Sequence, residues 1–187
     1  MFNLFGGSKN TVKEPKILIC SIGDAPVAPD KLIYQPHFNN ITEQNSPTVT
    51  DFFNFMTGKT FDIVHLFVKV EADGTVQGKP GIQLLEYLSK ADVKLIMFAT
   101  NNPGDNYIKA FANNRPKNLG NMNIVMTLDR EGDKFTNFFK ELFDLMAKGK
   151  SMPMAWVQII PQAEGPWQEK APSTIFDAGR GHIKFTP

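Results

Sequence analysis

Cys20, His65, His37 and Lys69 are the residues whose types come nearest to covalent or acid–base chemistry in this chain. A thiol works as a nucleophile only as the thiolate, with a base in hydrogen-bond reach. Any cysteine–histidine dyad must use Cys20, the sole cysteine, with His65 or His37 as its base. His65 sits inside "FDIVHLFVKVEADG", among apolar neighbours, where a histidine is ordinarily a core residue bonded to backbone. A lone cysteine inside an apolar run behaves as a small hydrophobe. Other chemistries lack their motifs. "SIGDAP" has one glycine where a dinucleotide loop needs three, and no Walker lysine or G-x-S-x-G elbow occurs. His37, His65 and His182 are too widely spaced for a zinc site. Asp24 resembles a phosphoacceptor position without its companions. No cofactor and no metal are expected.

The elements that must hold these residues read as alternating strands and helices. "KILICSIG", "FDIVHLFVKV" (Phe61 to Val70), "VKLIMFAT" and "MNIVMT" are apolar runs of the kind that form strands buried on both faces. "SPTVTDFFNFMTGK" predicts a short helix with Ser46 as N-cap and Pro47 at the first position. "GIQLLEYLSKAD", "DNYIKAFANN" (N-cap Asp105) and "REGDKFTNFFKELFDLMAKG" predict three more, the last burying Phe135, Phe138, Phe139, Leu142 and Met146. Asp24 to Asn45 reads as a long loop, "MAWVQII" as a last core strand, and "STIFDAGRGHIKF" as a terminal hairpin turning at Gly179 to Gly181. Such alternation implies right-handed crossovers and a mostly parallel sheet covered on both faces. Functional groups then belong just past the carboxyl ends of strands, at Cys20 to Asp24, Lys69 to Asp73, Thr100 to Asn102 and Thr127 to Asp129.

Bulk properties narrow the class. With 187 residues, 42% hydrophobic and 21% charged, the chain suits one globular domain. A net charge of +1 gives no field for nucleic acid or a membrane surface, and Arg115 with Lys117 is too small a patch to supply one. One cysteine, no signal-peptide pattern and no apolar run near the roughly 18 residues of a span lead to an expected cytoplasmic location. The expected division is a flexible arm over 1–15, a domain over 16–161 and an extension over 162–187.

The order of the pieces resembles the CHAT family, caspase-like domains in the clan of caspases, separases and gingipains. Asp62-Ile63-Val64-His65 is similar to its Asp-x-x-His strand. Thr127, Asp133, Phe139, Phe143, Gly149 and Ser151 fit its strand-to-long-helix segment, and Pro153-x-x-Trp156 its closing strand. The resemblance covers roughly Lys16 to Pro161. It implies a three-layer α/β caspase-like fold, here with a C-terminal β-hairpin added. In active members a Gly-His-Gly supplies the base and an Asn-Ala-Cys the nucleophile; those triplets fall on Val68-Lys69-Val70 and Ala99-Thr100-Asn101. Lys69 and Asn101 thus stand at the dyad positions, and an asparagine amide is no nucleophile. With valines for glycines, the first triplet is expected to continue as plain strand.

The resemblance therefore implies a catalytically inactive pseudopeptidase, a protein-binding or regulatory subunit beside a protease or in a bacterial signalling or defence assembly. The contact residues expected are Lys69, Asn101, Asn102, Asp129 and Trp167, with the hairpin edge as a second surface. Two alternatives stay open: a cysteine peptidase using a Cys20–His65 dyad, and an unrelated small-molecule-binding α/β domain. The oligomeric state is not legible.

Overall fold

The computed structural model describes residues 10–112, 122–130, 132–160, 172–177 and 181–186. Its framework is a six-stranded sheet in the order β3 (Ile41–Ser46), β2 (Ile17–Ile22), β4 (Ile63–Phe67), β7 (Leu95–Phe98), β8 (Asn123–Asp129) and β9 (Ser173–Asp177). The first five run parallel; β9 closes one edge antiparallel to β8. Helices α2 (Val49–Met56), α3 (Gly81–Lys90) and α4 (Gly104–Tyr107), the last continued by a π-helical turn over Ile108–Ala112, cover one face. Helices α1 (Lys31–Tyr34), α5 (Lys134–Ala147) and α6 (Met152–Ile159) cover the other. The expected α/β class, with a mostly parallel sheet between helical layers, is what the chain forms.

Side-chain alternation builds the two layers. Along the parallel strands the even positions, such as Leu18, Cys20, Val64, Leu66, Ile96 and Phe98, enter the α2–α3 core. Odd positions, such as Ile17, Ile19, Ile63, Met97 and Val125, enter the α5–α6 core. The long helix α5 places Phe135, Phe138, Phe139, Leu142, Phe143 and Met146 on the sheet at spacings of three and four, and Gly149, with φ +88°, turns the chain out of it. Each such aromatic or aliphatic side chain contributes about 2 kcal/mol by leaving water.

Several expectations are corrected. Asp24 to Asn45 is no single loop, because it contains α1 and the edge strand β3, which pairs with β2 along its whole length. The sequence of β3, Ile-Thr-Glu-Gln-Asn-Ser, is polar because only one neighbour covers it. Ser46 ends that strand, so the cap of α2 is Thr48, whose Oγ1 accepts the Asp51 N–H. Asp105 lies inside α4, after Pro103 at its N-cap. "MAWVQII" is helix α6, not a strand: Pro153 sits in its first turn, Met152, Ala155 and Ile159 face the core, and the place beside β8 belongs to β9. The expected terminal hairpin does not form either. β9 pairs with β8, whereas β10 (Lys184–Phe185) pairs in parallel with β1 (Thr11–Val12), at positions assigned to a flexible arm.

Two short strands, β5 (Thr75–Val76) and β6 (Lys79–Pro80), make a small hairpin after β4, turning through Gln77 (φ +48°) and Gly78 (φ +74°). Gln77 reaches across to accept the Val49 N–H at 2.8 Å and to donate to the Pro47 carbonyl at 3.1 Å. Gly23, with φ +71°, follows β2 beneath it; that backbone conformation favours glycine, and a Cβ there would lie 2.5 Å from Gln77 Nε2 and displace that amide.

Candidate functional site

Strand β4 ends at Phe67, so Val68-Lys69-Val70 is not the continued strand the sequence suggests. Side chains from beyond β7 take over the hydrogen bonds there. The Val68 N–H donates to Thr100 Oγ1 at 2.9 Å and the Val70 N–H to Asn102 Oδ1 at 2.8 Å. Asn102 Nδ2 returns to the Val68 carbonyl at 3.1 Å, and Asn106 Nδ2 donates to the Val70 carbonyl at 2.8 Å. The Asn102 amide also meets the buried Tyr107 hydroxyl at 3.0 Å, and that hydroxyl donates to the Thr127 carbonyl at 3.2 Å. Burial holds the Tyr107 phenol well above its ordinary pKa.

The four expected contact residues among those described separate accordingly. Lys69 and Asn101 lie past the carboxyl ends of the neighbouring strands β4 and β7. The Lys69 side chain, 66% exposed, pairs with Glu71 at 3.2 Å, and Asn101 Nδ2 approaches Asp129 Oδ1 at 3.4 Å. Asn102 differs: it is buried, and its amide is engaged by the chain itself. Trp167, with Arg115 and Lys117, lies outside the described residues.

Cys20 and His65 do not form a dyad. Cys20 is registered against Leu66, while His65 is registered against Ile19, so thiol and imidazole leave opposite faces of the sheet. Cys20 Sγ donates to the Ser21 carbonyl at 3.3 Å and lies 3.6 Å from Ser46 Oγ. Burial pushes its pKa up to about 11, against the opposing effect of Ser46, so the thiol stays protonated near neutrality. His37 stands instead at 3.6 Å from Asp144 of α5, on the layer opposite Cys20.

His65 is held by side chains, not by backbone. Its Nε2 lies 2.8 Å from Asp30 Oδ2, and its Nδ1 2.8 Å from the Tyr34 hydroxyl. The guanidinium of Arg130, just past β8, grips Asp30 from the other side: Nη1 donates to Oδ2 at 2.8 Å and Nη2 to Oδ1 at 2.5 Å. Nη1 also donates to the Ala99 carbonyl at 2.8 Å, and the guanidinium stacks 3.9 Å above the Phe135 ring. Asp30, Tyr34 and His65 are completely buried. Burial alone would raise the Asp30 pKa, but His65 and Arg130 together more than reverse it and hold it at about 2.

Asp30, Tyr34 and Arg130 are residues that sequence reasoning missed. Arg130 stands one position beyond a strand end already of interest, the one signal available for it. The cluster pins α1 and the end of β8 to the centre of the sheet, a structural duty that leaves the imidazole no path to a substrate. The chain matches no protein-family profile and no curated protein sequence.

Proposed function

We propose that this chain is a catalytically inactive caspase-like domain of the CHAT kind, serving as a protein-binding or regulatory subunit. The observation that carries the reading is the pair Lys69 and Asn101, past the carboxyl ends of adjacent parallel strands, where the resemblance puts a catalytic base and a nucleophile. Neither side chain does that chemistry: an amide does not attack a carbonyl, and an ammonium ion-paired with Glu71 has no lone pair with which to take a proton. The three-layer arrangement with helices on both faces supports the same fold family, as does the sheet's parallel core.

Thr100, Asn102, Asn106 and Tyr107 fill the crevice between the two strand ends, which weighs against a small-molecule ligand there. What remains at the surface is a polar ledge of Lys69, Glu71, Asn101 and Asp129, the proposed contact for a protein partner.

Two measurements test the reading. A thiol-reactive electrophilic peptide probe is expected to leave the folded protein unlabelled; labelling of Cys20 that vanishes in His65→Ala would sink it. Affinity capture followed by mass spectrometry is expected to recover a partner with the unaltered protein and to lose it with the double variant Lys69→Glu, Asn101→Arg. Both substitutions sit at exposed positions, so the fold survives them.

A further inference from the structure

The Tyr34 hydroxyl touches two acceptors that one proton cannot serve at once: His65 Nδ1 at 2.8 Å and Met97 Sδ at 3.1 Å. With a neutral imidazole, Nε2–H donates to Asp30 and Nδ1 accepts from Tyr34, leaving Met97 unused. With an imidazolium, Nδ1–H donates to the Tyr34 oxygen, and the hydroxyl proton turns onto Met97 Sδ. Every donor keeps an acceptor in both states, and the only motion needed is a rotation about one C–O bond. We propose that His65 is a buried proton-binding site and that the Tyr34 hydroxyl is the two-position switch that lets one structure hold both charge states.

The surroundings fit this use. Asp30, from the segment leading into α1, supplies a carboxylate in contact with Nε2, already shared with Arg130 from the end of β8. The remaining faces of the ring meet Phe67 of β4, Phe135 of α5 and Tyr34 of α1, none of which is charged at neutral pH. The proton adds one positive charge to a cluster that otherwise balances Asp30 against Arg130.

The test is nitrogen-15 NMR of the imidazoles as a function of pH, with the His65 signals assigned by their loss in His65→Gln. Both His65 nitrogens are expected to move to imidazolium positions as pH falls, while the amide fingerprint stays native. Met97→Leu, which keeps the volume and removes only the alternative acceptor, is expected to lower the imidazolium-to-imidazole ratio about threefold at a given pH. Tyr34→Phe is expected to lower it by more. A His65 that keeps one tautomer until the protein unfolds overturns the proposal, as does a Met97→Leu ratio equal to that of the unaltered protein. A purely structural histidine gives the latter result.

Discussion

Replacing Arg130 by leucine leaves the Asp30 carboxylate buried with His65 as its main partner. Breaking one side of a buried ion pair costs about 3–5 kcal/mol, so Arg130→Leu is expected to lower the urea midpoint steeply with little change in slope. Asp30 also sets an acid limit. Its folded pKa of about 2 lies below the ordinary aspartate value of about 3.9. The contribution is therefore complete above about pH 4 and is lost as pH falls through about 2, on the order of 2 kcal/mol in all. In Arg130→Leu the acid transition is expected to move to higher pH, because the carboxylate has lost a cation. Denaturation profiles from pH 2 to 6 check both the sign and the window. Of this cluster the sequence shows His65 as a core histidine, but not the side chains that hold it. Asp30 reads as one more polar residue in a proline-rich stretch, and its partners lie 35 and 100 positions away.

At the scale of elements, the carboxyl edge is closed by side chains that imitate a strand. Asn102 accepts the Val70 N–H and donates to the Val68 carbonyl, as a residue of β7 would if the strand ran on. Asn102→Ala orphans both buried groups and is expected to cost about 2–4 kcal/mol. Hydrogen exchange gives the specific readout: the Val70 amide speeds up, while the Val68 amide, held by Thr100, keeps its protection. Equal acceleration at both amides would mean that the edge opens as one piece. The strands that read correctly, β2, β4, β7 and β8, are continuous apolar runs, because a strand buried on both faces has no polar side to show. β3 escaped notice because an edge strand carries polar residues, and α6 because an apolar stretch of eight residues has no distinguishing period. Its Met154 and Val157 are 58% and 64% exposed, the opposite of a core strand.

For the whole molecule, the central layer sets what a reagent can reach. Cys20 lies on a strand with neighbours on both sides and a helical layer above. Its exposure is expected to follow global opening. A maleimide is therefore expected to label the thiol at a rate that follows global stability, rising with denaturant along the same curve as the loss of circular dichroism. Rapid labelling in buffer alone would show a breathing motion of the β3–β2 edge. The class of fold was readable from alternation of apolar runs, whereas the polar ledge was readable only in part: Lys69, Asn101 and Asp129 stand where strand ends place them, but the filling of the crevice by Asn102 depends on a turn after β7 that no local pattern announces.

The pairing of β1 with β10 sets Thr11 beside Lys184 and Val12 beside Phe185, the backbones running the same way. The polypeptide thus enters and leaves this body at one corner. A force applied between those two points would load the short ladder in shear before it reached the six-stranded sheet. By the same geometry, the body can be set into a surface loop of a host protein without prising the host's own strands apart.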